Sequence, residues 1–259
     1  MTRILVTNDD GVRSDGIHAL ADALRPLGDV TIVAPHAEAS AIGHALTLRR
    51  PLRMEQVGDR IYEVDGTPTD CVNIALTQVY TPASAPDLVV SGINKGYNLG
   101  DDVTYSGTVS GALEGSLLGI PSVAVSLART RGTYDFGPAA NAAATIASRV
   151  LRGDLISGRT FLNLNVPSGK PKGFRLTVQA KRNHITIVDP RTDPRGQAYY
   201  WIEEGENDWE PHDRSDYQAV RDGYVSVTPL QPDMTDHDAL TKLESLQIES
   251  TPADSSVRR

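Results

Sequence analysis

The sequence predicts an α/β protein: a doubly wound, mostly parallel, Rossmann-like sheet with a protruding C-terminal β-hairpin arm. Three observations predict it. Short runs of β-branched and aliphatic residues end in Asn, Asp, Ser or Gly. Segments with helical apolar spacing alternate with those runs through short loops. Beyond about residue 167 the alternation gives way to polar sequence with period-two patterning. For 259 residues, the economical arrangement is one domain over 1–246, with 177–202 as an exposed arm and 247–259 as a disordered tail.

Arg3-Ile4-Leu5-Val6-Thr7, stopped by Asn8-Asp9-Asp10-Gly11, reads as a first buried strand. Ile17, Leu20, Ala21 and Leu24 have helical spacing, and Pro26 and Gly28 end that helix. Val30-Thr31-Ile32-Val33-Ala34 is a second strand. At Thr67-Pro68-Thr69-Asp70 a helix begins: Thr67 caps, Pro68 suits the first helical position and Asp70 favours the first turn. Further strands fall at 88–92 and 122–127, with a small-residue helix over 109–118 between them and an Ala-rich helix over 138–151 after them. In 177–202, Ile185, Ile187, Tyr199 and Trp201 alternate around the turn-rich Asp189-Pro190-Arg191-Thr192-Asp193-Pro194-Arg195-Gly196, which predicts a long exposed hairpin. A last strand over 224–230 and a short helix over 238–246 follow. The arm and the segment 224–246 look too apolar on one side for a monomer surface, so an oligomer is expected.

Composition narrows the function. Lys+Arg 25 against Asp+Glu 33 gives a net charge of −8 and an isoelectric point near 5.2, which argues against stable nucleic-acid binding through a basic face. An anionic substrate would be repelled by the global field and must be attracted by a bound metal or by local backbone dipoles. The single cysteine, Cys71, can form no intramolecular disulfide, which fits a reducing cytoplasm. It lies among Val72, Ile74 and Ala75 in a predicted helix, where packing outweighs a nucleophilic role. No signal-peptide core and no window of transmembrane length is present, so no membrane association is expected.

Four stretches follow predicted strands and carry potential chemistry. Asp9 and Asp10 fall at the carboxyl end of the first strand, where α/β sheets collect ligands. Two carboxylates about 4 Å apart repel by roughly 4 kcal/mol at an effective dielectric near 20. They therefore point apart or share a cation, and sharing requires the turn that Gly11 permits; an ordinary Asp-Asp-Gly turn is the bland alternative. After the second strand, His36 and His44 offer ligands or a base, though histidines in such a loop are usually just solvated, and the Ser40 hydroxyl by itself is a negligible signal. Ser91-Gly92-Ile93-Asn94-Lys95-Gly96-Tyr97-Asn98-Leu99-Gly100-Asp101-Asp102 fits neither a dinucleotide fingerprint nor a P-loop, and is either an active-site wall or a turn cluster. In Tyr105-Ser106-Gly107-Thr108-Val109-Ser110-Gly111-Ala112, hydroxyls flank a glycine at a helix start, an anion site in outline. One cap needs one hydroxyl, whereas Ser106, Thr108 and Ser110 supply three. Oxygen ligands beside an anion cradle suit Mg²⁺ or Mn²⁺ and phosphate-ester hydrolysis, and no Cys/His cluster supports structural zinc.

Thr7-Asn8-Asp9-Asp10-Gly11, Ser91-Gly92-Ile93-Asn94-Lys95-Gly96-Tyr97-Asn98 and Tyr105-Ser106-Gly107-Thr108-Val109 together resemble the SurE family of survival proteins, metal-dependent 5′/3′-nucleotidases. The similarity runs to about residue 246 and includes Asp193-Pro194-Arg195-Gly196, Tyr200-Trp201 and Gly223-Tyr224-Val225-Ser226 before Thr228-Pro229-Leu230. It implies one divalent cation per subunit at Asp9, Asp10, Ser40 and Asn94, with Asn98, Ser106, Gly107 and Thr108 around the phosphate of a nucleoside monophosphate. One of the two catalytic aspartates, taken here as Asp9, would orient or deprotonate a water activated by the ion. The resemblance also implies a homodimer or homotetramer joined through the C-terminal arm, and it assigns His44 no role. The alternative from another class is a non-enzymatic, Mg²⁺-binding receiver-like signalling domain, which also places an acidic pair after its first strand. Receiver domains are about half this length, and the central strand here ends in Ser91-Gly92 where such a domain needs a phosphoacceptor Asp.

Overall fold

The computed structural model describes residues 1–130, 132–153, 155–156, 158–183, 186–204 and 208–244. The predicted tail, 247–259, lies outside the described residues.

The chain builds a nine-stranded sheet from strands β1 (Arg3–Thr7), β2 (Asp29–Pro35), β3 (Met54–Gly58), β4 (Ile61–Val64), β5 (Leu88–Lys95), β6 (Ser122–Leu127), β7 (Phe161–Val166), β8 (Phe174–Leu176) and β13 (Val225–Leu230), in the order β3-β4-β2-β1-β5-β6-β7-β13-β8. From β4 to β7 every neighbouring pair is parallel; β3 runs antiparallel to β4, and β13 antiparallel to β7. Strands β1, β6 and β7 are buried along almost their whole length, as expected of a sheet covered on both faces. Helices α1 (Asp15–Leu24) and α4 (Gly137–Leu151) cover one face, burying Ile17, Leu20, Leu24, Ala143 and Ile146 against Ile4, Val6, Val90, Val125 and Leu164. On the other face lie α2 (Pro68–Ile74), with Val72 packed near Leu5, Val33 and Val89, and α3 (Gly107–Leu117), whose Val109 and Ala112 meet Ala124 and Phe161. This is the doubly wound arrangement the alternation predicts.

The helix starts obey local chemistry. Thr67 accepts a hydrogen bond from the Asp70 N–H while the Asp70 carboxylate accepts from the Thr67 N–H, with Pro68 at the first position. Cys71 is buried, and burial pushes its thiol pKa well up, which fits packing and not nucleophilic chemistry.

The C-terminal third differs in detail from expectation. The hairpin is present as β10 (Thr186–Thr192) and β11 (Ala198–Glu204), paired antiparallel from Thr186 opposite Glu204 to Thr192 opposite Ala198. Residues 177–183 are not part of it. Thr177 lies against the main sheet, its N–H donating to the Val227 carbonyl and its hydroxyl bonding Thr228 at 2.8 Å. Two short strands, β9 (Arg182–Asn183) and β12 (Asp208–Trp209), pair with each other. Of the apolar residues of 224–230, Val225 and Val227 of β13 are core and not surface. Helices α5 (Asp216–Arg221) and α6 (His237–Glu244) complete the described chain. No helix among the described residues is long and apolar enough to cross a membrane.

Candidate active site

β1 lies between β2 and β5, and the order of strands along the chain reverses there. In open α/β sheets ligands bind in the crevice beyond the carboxyl ends of strands at such a point. The chain leaves β1 at Asn8-Asp9-Asp10 and leaves β5 at Asn94-Lys95, and Thr7 pairs with Ser91 between them. Asn8 is buried, its amide donating to the Gly11 carbonyl at 3.0 Å and to Ser14 Oγ at 2.8 Å, which ties the turn to the start of α1. Gly11 has φ +95°, a left-handed backbone that glycine adopts without strain. The expected turn is thus present, and it delivers both aspartates to the crevice.

Asp9 is 5% exposed and packs against the start of α3. The Thr108 hydroxyl donates a short hydrogen bond to its Oδ1. At Gly107 a Cβ would stand 2.8 Å from the Asp9 Cβ, so this glycine is what lets the helix approach the carboxylate. Gly107 itself needs no special backbone angle; the constraint is contact. Burial pushes the Asp9 pKa up to about 6, opposed by the Thr108 hydrogen bond and reinforced by the Asp10 charge. Burial also raises Asp10, with Lys95 pulling it down and Glu38 pushing it up.

Asp10 Oδ2 is buried and has no hydrogen-bond partner among the described residues. Two adjacent carboxylates, one with an orphaned oxygen and both disfavoured as anions, form an arrangement that a divalent cation relieves. No cluster of three or more His, Cys, Asp or Glu side chains occurs among the described residues. A cation at Asp9 and Asp10 must therefore draw further ligands from amide, hydroxyl or water oxygens, a donor set suited to Mg²⁺ or Mn²⁺.

The other expected site residues divide by what holds them. Asn94 follows a register shift between β5 and β6, where Gly92 opposes Val125 but Asn94 opposes Ser126; such a bulge re-aims the side chains beyond it. Its amide nitrogen donates to the Gly96 carbonyl at 3.1 Å, so of its two side-chain polar atoms Oδ1 is the one that could ligate a cation. Ser40 is exposed and donates to Glu38 Oε1 at 2.6 Å. It follows directly on Ala39, whose N–H donates to the Asp9 carbonyl at 2.8 Å. Ser106 is the cap of α3, accepting from the Val109 N–H at 3.1 Å.

The apparent surplus of hydroxyls has a structural use. Thr108 serves Asp9, and Ser110 donates back to the Ser106 carbonyl at 2.7 Å. Asn98 is buried; its Nδ2 donates to Ser126 Oγ at 2.7 Å, its N–H to Asn165 Oδ1 at 2.8 Å, and its carbonyl accepts from Asn163 and Asn165 at 2.8 and 3.0 Å.

Sequence reasoning missed several of these groups. Lys95 and Glu38, the two charges that act on Asp10, gave no signal beyond following a strand. The alternation Phe161-Leu162-Asn163-Leu164-Asn165 was the one available sign of the clamp on Asn98.

Comparison with known proteins bears on the family and the fold. The family model described as Survival protein SurE matches residues 4–186. The chain is 51% identical over 233 residues to the 5′-nucleotidase SurE of Syntrophotalea carbinolica, covering 90% of this chain and 92% of that protein. It is 47% identical over 249 residues to the 5′-nucleotidase SurE of Geotalea daltonii, covering 95% and 99%. Among solved structures, the SurE protein from Aquifex aeolicus superposes with a TM-score of 0.83 at 44% identity, over 94% of this chain and 99% of that one.

Proposed function

This chain belongs to the SurE family, and on that premise we propose that it is a hydrolase, a metal-dependent phosphomonoesterase that cleaves nucleoside 5′-monophosphates to nucleoside and phosphate, with 3′ esters as a second substrate class. The observation that carries the reading is the pair Asp9-Asp10 at the switch point of the sheet, with Asp9 held against the start of α3 and Asp10 Oδ2 without a partner among the described residues.

One divalent ion, Mg²⁺ or Mn²⁺, held by Asp9, Asp10, Ser40 and Asn94, would supply water activation and neutralisation of phosphate charge. Asp9 is the residue that orients or deprotonates the attacking water. Its raised proton affinity suits a base, and the Thr108 hydroxyl fixes its Oδ1. The Gly107 N–H and the positive end of α3 attract the phosphate, because Ser106 already caps the Val109 N–H and the Ser110 N–H bonds the Ser106 carbonyl. Asn98, held by Ser126, Asn163 and Asn165, would be a further phosphate contact. The reading extends to a cytoplasmic protein that forms a homodimer or homotetramer through its arm, with residues 1–246 as one folded unit.

The receiver-like alternative is not favoured: the matches above span most of the chain, and β5 passes through Ser91-Gly92 with no phosphoacceptor aspartate at its end.

A panel of ribo- and deoxyribonucleoside 5′- and 3′-monophosphates, assayed after chelation and readdition of Mg²⁺, Mn²⁺ or Co²⁺, tests the proposal. The expected result is activity restored by a hard cation. Full phosphatase activity in excess EDTA, with metal content measured, would overturn the one-metal mechanism. Asp10→Asn is expected to weaken metal binding while leaving the melting temperature of the metal-free protein nearly unchanged.

A further inference from the structure

We propose that His44 is a positioning residue: paired with Glu114 of α3, it latches the 36–44 loop onto the helical layer and so sets where Ser40 presents its oxygen to the cation. This rests on Ser40 being a ligand, as proposed above.

The loop needs an external anchor. Residues 36–47 form no helix or strand, and Ser40, Ala41 and Ile42 are all exposed. Ala41 has φ +53°, a backbone that side chains seldom adopt, so the segment gains little order from its own conformation.

What orders it comes from outside. Ahead of Ser40, the Ala39 N–H donates to the Asp9 carbonyl at 2.8 Å; after it, the Gly43 N–H donates to the Tyr105 carbonyl at 2.9 Å. Further on, the Thr67 hydroxyl donates to the Ala45 carbonyl at 2.7 Å and the Thr47 N–H to Asp70 Oδ1 at 2.9 Å. All of these use the loop's backbone. The side chain that reaches down from the loop is His44, whose Nε2 lies 2.6 Å from Glu114 Oε2.

Glu114 is a fixed post. Its side chain is 8% exposed, and its other oxygen accepts from Asn73 of α2 at 2.7 Å, while Asn73 also donates to the Thr69 carbonyl at 3.1 Å. Burial alone would raise the Glu114 pKa, but the hydrogen bonds from His44 and Asn73 outweigh it and hold the carboxyl below its ordinary range. An exposed ion pair contributes little because both partners are solvated and mobile. Here the acid is buried and rigid, so losing its partner leaves an anion with one donor in a poorly solvated place. Untied at His44, the stretch beside Ser40 becomes more mobile, and cation binding must then order it.

The test uses the chain of residues 1–259. Mn²⁺ binding to the metal-free chain is measured by calorimetry for wild type, Ser40→Ala, His44→Ala and His44→Gln, alongside melting temperatures and the Mn²⁺ concentration for half-maximal nucleotidase activity. His44→Ala is expected to weaken Mn²⁺ binding roughly tenfold, the size of one charge-assisted hydrogen bond. The half-activating Mn²⁺ concentration should rise in parallel, with kcat recovered at saturating metal. His44→Gln keeps a donor for Glu114 and should recover most of the affinity. If Ser40→Ala weakens binding but His44→Ala lowers only the melting temperature, the latch is wrong and Ser40 stays a ligand. If Ser40→Ala leaves Mn²⁺ affinity unchanged, the ligand reading fails and the latch falls with it.

Discussion

At Thr108 two roles can be separated by substitution. A cap residue would lose about 1 kcal/mol of helix stability with normal kinetics, but the cap here is Ser106, and the Thr108 hydroxyl goes to Asp9. Thr108→Val deletes that donor from a buried carboxylate, a loss of about 1–3 kcal/mol, or roughly a five- to hundredfold fall in kcat/KM. Steady-state kinetics and melting temperature on the same variant decide it: a lower melting temperature with unchanged kcat/KM would assign Thr108 to the helix and not to the site. Gly107→Ala is expected to be more damaging, because its methyl group would meet the Asp9 side chain at 2.8 Å and one of the two must move. Activity should fall by more than about a hundredfold, since small misplacements of a reacting group cost that much; near-normal activity would show that Asp9 tolerates displacement. Candidates such as Asp9, Asp10 and the hydroxyls of 106–110 stood out at this scale because acids and hydroxyls after strands advertise chemistry, whereas Ser40 became a candidate only through the family resemblance. Their partners were not: nothing in the spacing of Ser106, Thr108 and Ser110 says which hydroxyl caps, which bonds Asp9 and which bonds backwards to a carbonyl.

Elements were legible where one physical signal dominated. Continuous apolar runs located β1, β2, β5 and β6, and the capping box located α2. The edge pair β3–β4 escaped because Glu55, Gln56 and Val57 are exposed and its pattern is mostly polar. β7 escaped for the opposite reason. Phe161-Leu162-Asn163-Leu164-Asn165 resembles a half-solvated strand, yet all of it is buried, the asparagines facing a polar cluster. That cluster makes β7 the support of the 96–100 loop, since Asn163 and Asn165 bond the main chain of Asn98. Asn165→Ala removes one donor to the Asn98 carbonyl and the acceptor of its N–H. About 1–3 kcal/mol of stability should be lost, a fall of roughly 2–10 °C in melting temperature for a chain of this size. The KM for nucleotide should rise as the loop loosens. Calorimetric melting with unchanged temperature would mean that water replaces the asparagine and that the clamp carries little.

The whole molecule poses the question of the arm. Its strands pair Val188 with Ile202 and Pro190 with Tyr200 on one face, and Asp189 with Trp201 and Arg191 with Tyr199 on the other. The first face is apolar, and Val188, Tyr200 and Ile202 are 53%, 64% and 77% exposed. A two-stranded hairpin is marginal by itself in water, and side chains of this kind side by side mark a surface that another protein covers. A second copy of the chain is the simplest cover, since a two-fold pair buries the same patch twice.

Light scattering on the purified protein at micromolar concentration should therefore give at least twice the 27.9 kDa of one chain. Tyr200→Asp combined with Ile202→Asp places two charges on the apolar face and should shift the protein to monomer, without lowering the melting temperature of the main sheet. Replacing 186–204 by a short Gly-Ser linker should do the same. Truncation from about residue 177 is a different experiment: it removes β13, which pairs with β7 and buries Val225 and Val227, so insoluble protein is expected whatever the arm does. A clean monomer for the wild-type chain, or an unchanged oligomer in the double aspartate variant, would mean that the apolar face of the arm is not what joins the subunits.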